Sequence, residues 1–186
     1  VATHLQKEGD PLSMAVVEFL AAMPALGYRL YRIEEAPATA QPSSWRPARN
    51  EISNRFFRLR LDPARGVLAS LLDLRSGQEL LDTGRYGGNE LVLVEENDPD
   101  MEGMIHFTGT EVRSSQFPPD SIKQIDDDLG TRLRIEGPFL GGRRVQEIIL
   151  YHQLPRIDFK TELLGFPGHD GMVTAVFPIR KEGKQR

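Results

Sequence analysis

Along most of the chain apolar and polar residues alternate with a period of two, the pattern of a strand with one face buried and one solvated. The clearest run is residues 156–163. Ile157, Phe159, Thr161 and Leu163 fall on one face, and Arg156, Asp158, Lys160 and Glu162 on the other. Phe57, Leu59 and Leu61 alternate with Arg58 and Arg60, and Leu133 and Ile135 alternate with Arg132 and Arg134. Turn residues separate the runs. In Asp62-Pro63-Ala64-Arg65-Gly66, Pro63 presets the φ angle of a type I turn and Gly66 can take the left-handed conformation that closes it. This predicts a hairpin of Phe56–Leu61 with Val67–Asp73. Asp126–Gly130 predicts a second hairpin, joining Ile122–Ile125 to Thr131–Glu136, and Arg75-Ser76-Gly77 marks a turn before Glu79-Leu80-Leu81. Gly137–Gly142 reads as a turn loop leading into a strand over Arg143–Tyr151. Residues 12–23 contain Val16-Val17-Glu18-Phe19-Leu20, whose β-branched and aromatic side chains favour a strand over a helix, and Gly27–Ile33 alternates as another strand. Many short strands between turns predict an all-β fold, a β-sandwich or a barrel.

Residues 34–50 break the pattern with three prolines and no period, the composition of a linker. The predicted organisation is therefore a short N-terminal β segment at 1–33, a Pro/Ser/Ala-rich linker at 34–50 and a β-sandwich domain at 51–186. The length of 186 residues suits one domain with a partial neighbour. Lys plus Arg number 23 against 27 Asp plus Glu, a net charge of −4 that disfavours a nucleic-acid partner. No apolar run approaches the ~18 residues of a membrane span, so no membrane partner is expected. The absence of cysteine excludes disulfides, thiolate zinc sites and a cysteine nucleophile, and it fits a reducing, cytoplasmic setting. The first residues, Val1-Ala2-Thr3-His4, carry neither an initiating Met nor a signal pattern, which suggests a chain that starts inside a larger protein.

Candidate chemistry is sparse. In Glu95–Gly103, Asp98, Asp100, Glu102 and Gly103 match the first, third, fifth and sixth positions of a calcium loop. The twelfth, where a bidentate Glu belongs, is Gly109, so a solvated acidic loop is the better reading. Asp126-Asp127-Asp128 reads as a hairpin tip. The histidines His4, His106, His152 and His169 show no metal-site spacing, and no catalytic residue or metal ligand is assigned. Phosphate-binding, dinucleotide-binding and nucleophile-elbow motifs are absent. The best ligand candidate is His169 with Asp170, in the glycine-rich loop Gly165–Gly171, with Trp45 of the linker as the competing sugar platform.

An ordered set of motifs then carries a family resemblance over residues 16–180. It comprises Met23–Tyr31, Asn54–Leu59, Asp62-Pro63, Gly66–Leu71, Asp73, Ser76–Leu80, Asn89-Glu90-Leu91, Gln146–Tyr151, Arg156–Thr161 and Val176-Phe177-Pro178. Together these resemble the C-terminal region of glycoside hydrolase family 38 α-mannosidases. The resemblance implies an antiparallel β-sandwich of the galactose-mutarotase-like kind, a supersandwich, incomplete on its C-terminal side. In that family zinc, its ligands and the nucleophilic aspartate belong to an N-terminal α/β barrel. The chain is thus expected to hold no cofactor, to be inactive alone, to support its parent's zinc-bearing catalytic barrel and to complete a mannoside-binding cleft. Where the family commonly has a tryptophan after the Asp-Phe-x-Thr strand, this chain has Phe166. Two other functions compete, an independent mutarotase-like epimerase using His106, His152 or Glu147 and a protein-interaction module. Open strand edges at Arg156–Leu163 and Met172–Phe177 predict self-association.

Overall fold

In a computed structural model that describes residues 4–6, 16–32, 44–96, 106–168 and 170–181, the alternating runs become strands. They are β1 (His4–Gln6), β2 (Val16–Glu18), β3 (Arg46–Pro47), β4 (Glu51–Ser53), β5 (Phe57–Asp62), β6 (Val67–Asp73) and β7 (Gln78–Glu79). They continue with β8 (Glu90–Glu96), β9 (Phe107–Arg113), β10 (Ser121–Asp126), β11 (Gly130–Phe139), β12 (Gly142–Tyr151), β13 (Ile157–Leu164) and β14 (Gly171–Val176). Among the described residues one 3-10 turn, Ser114–Gln116, follows β9.

The hairpins form where turn chemistry is local. Between β5 and β6 the Asp62 carboxylate accepts from the amides of Ala64 (3.0 Å) and Arg65 (3.3 Å), while Gly66, at φ +64°, donates to Asp62 O at 2.8 Å. Between β10 and β11, Asp127 Oδ1 accepts from the amides of Leu129 (2.8 Å) and Gly130 (2.9 Å). The acidic triplet is thus a hairpin tip, as expected.

Among the described residues all pairings are antiparallel; β1 and β2 form a separate two-stranded ribbon, and the other sheets build two layers. One is the five-stranded sheet in the order β13-β12-β11-β10-β3. Facing it are the four-stranded sheet β4-β5-β6-β7 and the three-stranded sheet β14-β8-β9. These two are tied by reciprocal backbone bonds between Leu68 and Gly88. Ile52, Leu59, Leu61, Leu68, Leu71 and Leu81 from one layer pack on Leu133, Ile135, Ile148 and Leu150 of the other. A second cluster joins Leu91 and Leu93 of β8 to Phe139 and Leu140. Apolar side chains from two sheets meeting face to face define a β-sandwich. In β6 the pairing shifts between Arg60 and Leu61, a bulge that leaves Ala69 unpaired. Leu68 and Leu71 are three residues apart and would face opposite ways in a regular strand. The bulge turns both into the core.

Two expectations change. Residues 28–32 of the expected Gly27–Ile33 strand pair with nothing regular. Leu26, Tyr28 and Leu30 are 95%, 83% and 86% exposed, and strand propensity without a packing neighbour does not make a strand. Instead the segment folds back, with Tyr31 stacked 5.0 Å from Phe19 and its hydroxyl donating to Ala22 O. The Gly137–Gly142 loop tightens to a two-residue turn at Leu140 and Gly141, with φ +50° and +79°. β11 runs through Pro138 because its pairing with β10 ends at Glu136, opposite Ser121, so on that side the missing N–H meets no ladder. The acidic loop and most of the linker lie outside the described residues.

Candidate functional site

Of the sequence-derived pair, His169 lies outside the described residues. Asp170 is exposed at the entry to β14, and its carbonyl accepts from Glu96 N at 3.2 Å. Gly165 and Gly168 hold φ angles of +62° and +85°, and Phe166 turns inward against the Leu91–Phe139 cluster. Among the described residues no ionisable side chain bonds the Asp170 carboxylate. His152 is exposed in the turn after β12, Glu147 is bonded to Arg134 at 2.7 Å, and His106 precedes β9 in a different sheet. The structure does not bring these three into an acid–base pair. Among the described residues no group of three His, Cys, Asp or Glu side chains could hold a metal, so the donor set for a zinc ion is not found in them.

Two arrangements that the sequence did not suggest lie elsewhere in the fold. The first is a shallow groove of about 350 Å³ lined by Glu18, Phe19, Leu20, Leu129, Tyr151, Leu154 and Arg156. It forms where the N-terminal segment meets one end of the five-stranded sheet. Arg132, almost fully buried, bonds Asp127 at 2.9 Å and also Glu18 of the groove's lining. Arg156 forks onto Asp158 at 2.6 and 2.9 Å, and the Tyr151 hydroxyl donates to Asp158 Oδ2 at 2.9 Å. Burial would raise the Asp158 carboxyl, but hydrogen bonds from Arg156 and Tyr151 win and hold it below its ordinary value. Burial and the same Asp158 contact push the Tyr151 hydroxyl up. Asp158 therefore stays charged and Tyr151 protonated near neutral pH. These groups can hold a polar ligand by hydrogen bonds but are not poised to exchange protons with one.

Asp127 makes the same point about acid. Burial opposes its charge, yet the Arg132 guanidinium and the amides of Gly130 and Leu129 lower its pKa. A depressed folded value means stability that is present above the unfolded pKa of about 4 and lost as pH falls through the folded one. Asp127→Asn is expected to cost about 1–2 kcal/mol at neutral pH. In urea titrations its stability should converge on the wild type's below about pH 4; a constant difference across pH would contradict the assignment.

The second arrangement is internal. Glu90, Asn89, Arg144 and Gln146 are all at most 2% exposed, between β8 and β12. Glu90 accepts from Gly87 N at 2.6 Å and from the Ser115 hydroxyl. Gln146 Nε2 donates to Asn89 O at 2.8 Å, and Arg144 Nη2 donates to the carbonyls of Phe117 (3.2 Å) and Arg65 (3.4 Å). Burial pulls the Arg144 guanidinium down to about 10, against the opposing field of Glu90. Arg144 Nε and Nη1, the Asn89 amide and Gln146 Oε1 find no protein partner. Such groups need water or each other, so this centre ties the layers together at high cost to disruption.

The geometry thus defines an antiparallel β-sandwich with a shallow surface groove and a polar structural centre. The chain belongs to the family described as Glycosyl hydrolases family 38 C-terminal domain, which matches residues 52–186. A search of curated proteins found no match.

Proposed function

We propose that this chain is the non-catalytic β-sandwich of an α-mannosidase-like glycoside hydrolase, working in a cytoplasmic setting. In this reading it packs on its parent's catalytic barrel, where zinc and the nucleophile reside, and helps complete a cleft for a mannoside. The observation that carries it is the family match over residues 52–186. The exposed apolar strip of Met23, Leu26, Tyr28 and Leu30 supports it, because side chains of this kind in one segment suit cover by a partner surface. The chain's own contribution to sugar contact is placed at His169 and Asp170. There, Gly168 at φ +85° gives a backbone conformation open to close approach.

The test is an aryl α-mannoside assay of the purified chain, with and without added zinc. The expected result is no turnover above a heat-denatured control. Turnover by the chain alone would contradict the reading.

A further inference from the structure

We propose that two copies of this chain join edge to edge through β13, in an antiparallel register centred on Thr161. β13 is an outer strand of the five-stranded sheet, and its eight pairs with β12 run without a shift. Most other outer strands are blunted in the ways that discourage pairing. β3 has two residues, one of them Pro47, β7 has two residues, and β9 meets β8 across an irregularity between Val94 and Glu96. β14 is regular, but its sequence GMVTAV carries no charge that would select a register.

The charge pattern of β13 selects one. On its outward face Arg156, Asp158, Lys160 and Glu162 alternate in sign. Ile157 and Phe159 pack inward on one core cluster and Leu163 on the other. A two-fold axis normal to the sheet preserves faces, so each residue meets one of its own face and the axis passes midway between the two copies of one residue. Centred on Lys160, the pairing sets Lys160 against itself and Asp158 against Glu162, all repulsive. Centred on Thr161, Lys160 of each copy faces Glu162 of the other, and Phe159 of each faces Leu163 of the other. The ladder then uses Asp158–Leu164, nearly the whole strand. A centre on Phe159 also pairs opposite signs. It keeps only Ile157–Thr161 of the strand, however, and requires Arg156, which is already forked onto Asp158. Lys160 and Glu162 are 63% and 43% exposed and touch at 2.8 Å within one strand. Both can therefore reach a facing strand, where opposite residues lie about 5 Å apart. The product is one sheet continuous across both copies, with the apolar row Phe159–Leu163 extended from core to core.

Sedimentation equilibrium over a concentration range reads the association. The wild-type chain is expected to dimerise reversibly. Lys160→Glu and Glu162→Lys should each weaken dimerisation roughly tenfold or more, because each turns two attractive cross-strand pairs into repulsive ones. Mixed one to one, the two variants have every charge pair restored and should form a heterodimer. The doubly exchanged variant should dimerise like wild type, and it serves equally if a single variant folds poorly. A wild-type chain that is monomeric at the highest concentration overturns the proposal. So do single variants that dimerise normally, or a mixture and a double variant that both stay monomeric.

Discussion

Replacing Glu90 with alanine is expected to destabilise the chain by about 3–5 kcal/mol, since it removes a buried carboxylate from its donors and from Arg65, 3.9 Å away, and leaves the buried Arg144 guanidinium without the anion whose field offsets its desolvation. Glu90 is fully buried, and it is the anion whose field opposes the desolvation of Arg144. Its loss also strips the acceptor from Gly87 N and the Ser115 hydroxyl. The sharper test is a double-mutant cycle with Arg144→Met, which keeps the apolar stem and removes the charge. The double variant is expected to be more stable than Glu90→Ala alone, the non-additivity of groups that share a network. Urea unfolding followed by circular dichroism measures it. Strictly additive losses would mean that the two side chains do not sense each other.

The second large effect is at Phe139. Its ring is 1% exposed at the end of β11, edge-on to Phe117 at 6.1 Å between centroids, and it anchors the cluster that includes Leu91 and Leu93. Phe139→Ala removes contacts on all sides and leaves a void, a change that costs about 3–5 kcal/mol. The thermal midpoint should fall by about 10 °C for a chain of this size. Phe139→Leu, which fills most of the volume, should lose markedly less. Equal losses from the two would show that Phe139 is not packed as described.

What could be read from the chain follows the range of the forces involved. Hairpins β5–β6 and β10–β11 were legible because Asp62, Pro63, Gly66, Asp127 and Gly130 act within a few residues of themselves. β13 was legible because one solvated face keeps its period of two intact. The segment 28–32 was misread because alternation cannot show whether a neighbouring strand exists. A turn within Gly137–Gly142 was legible from its glycines, but its place at Leu140 was not, because a leucine at positive φ has no local signal. Its side chain is only 8% exposed, within the second apolar cluster, so tertiary packing holds it there. The centre of Glu90, Asn89, Arg144 and Gln146 was also invisible. Polar residues on a strand suggest a solvated face, and only the second layer reveals them as buried. Asn89-Glu90-Leu91 did enter the family resemblance, so the signal lay in the motif and not in hydrophobic patterning.

As the proposed companion of a catalytic region, this sandwich should act on that region when the two are mixed. The most direct measurement adds the purified chain in increasing amounts to a separately produced catalytic region of its own parent protein, assayed with an aryl α-mannoside and zinc. The prediction is saturable activation at a one-to-one ratio. It should be lost when Leu26 and Leu30 are changed to Asp. When His169 and Asp170 are changed to Ala, activity should fall while association stays unchanged. A catalytic region that is fully active alone, and neither binds the chain nor responds to it, would contradict the claim.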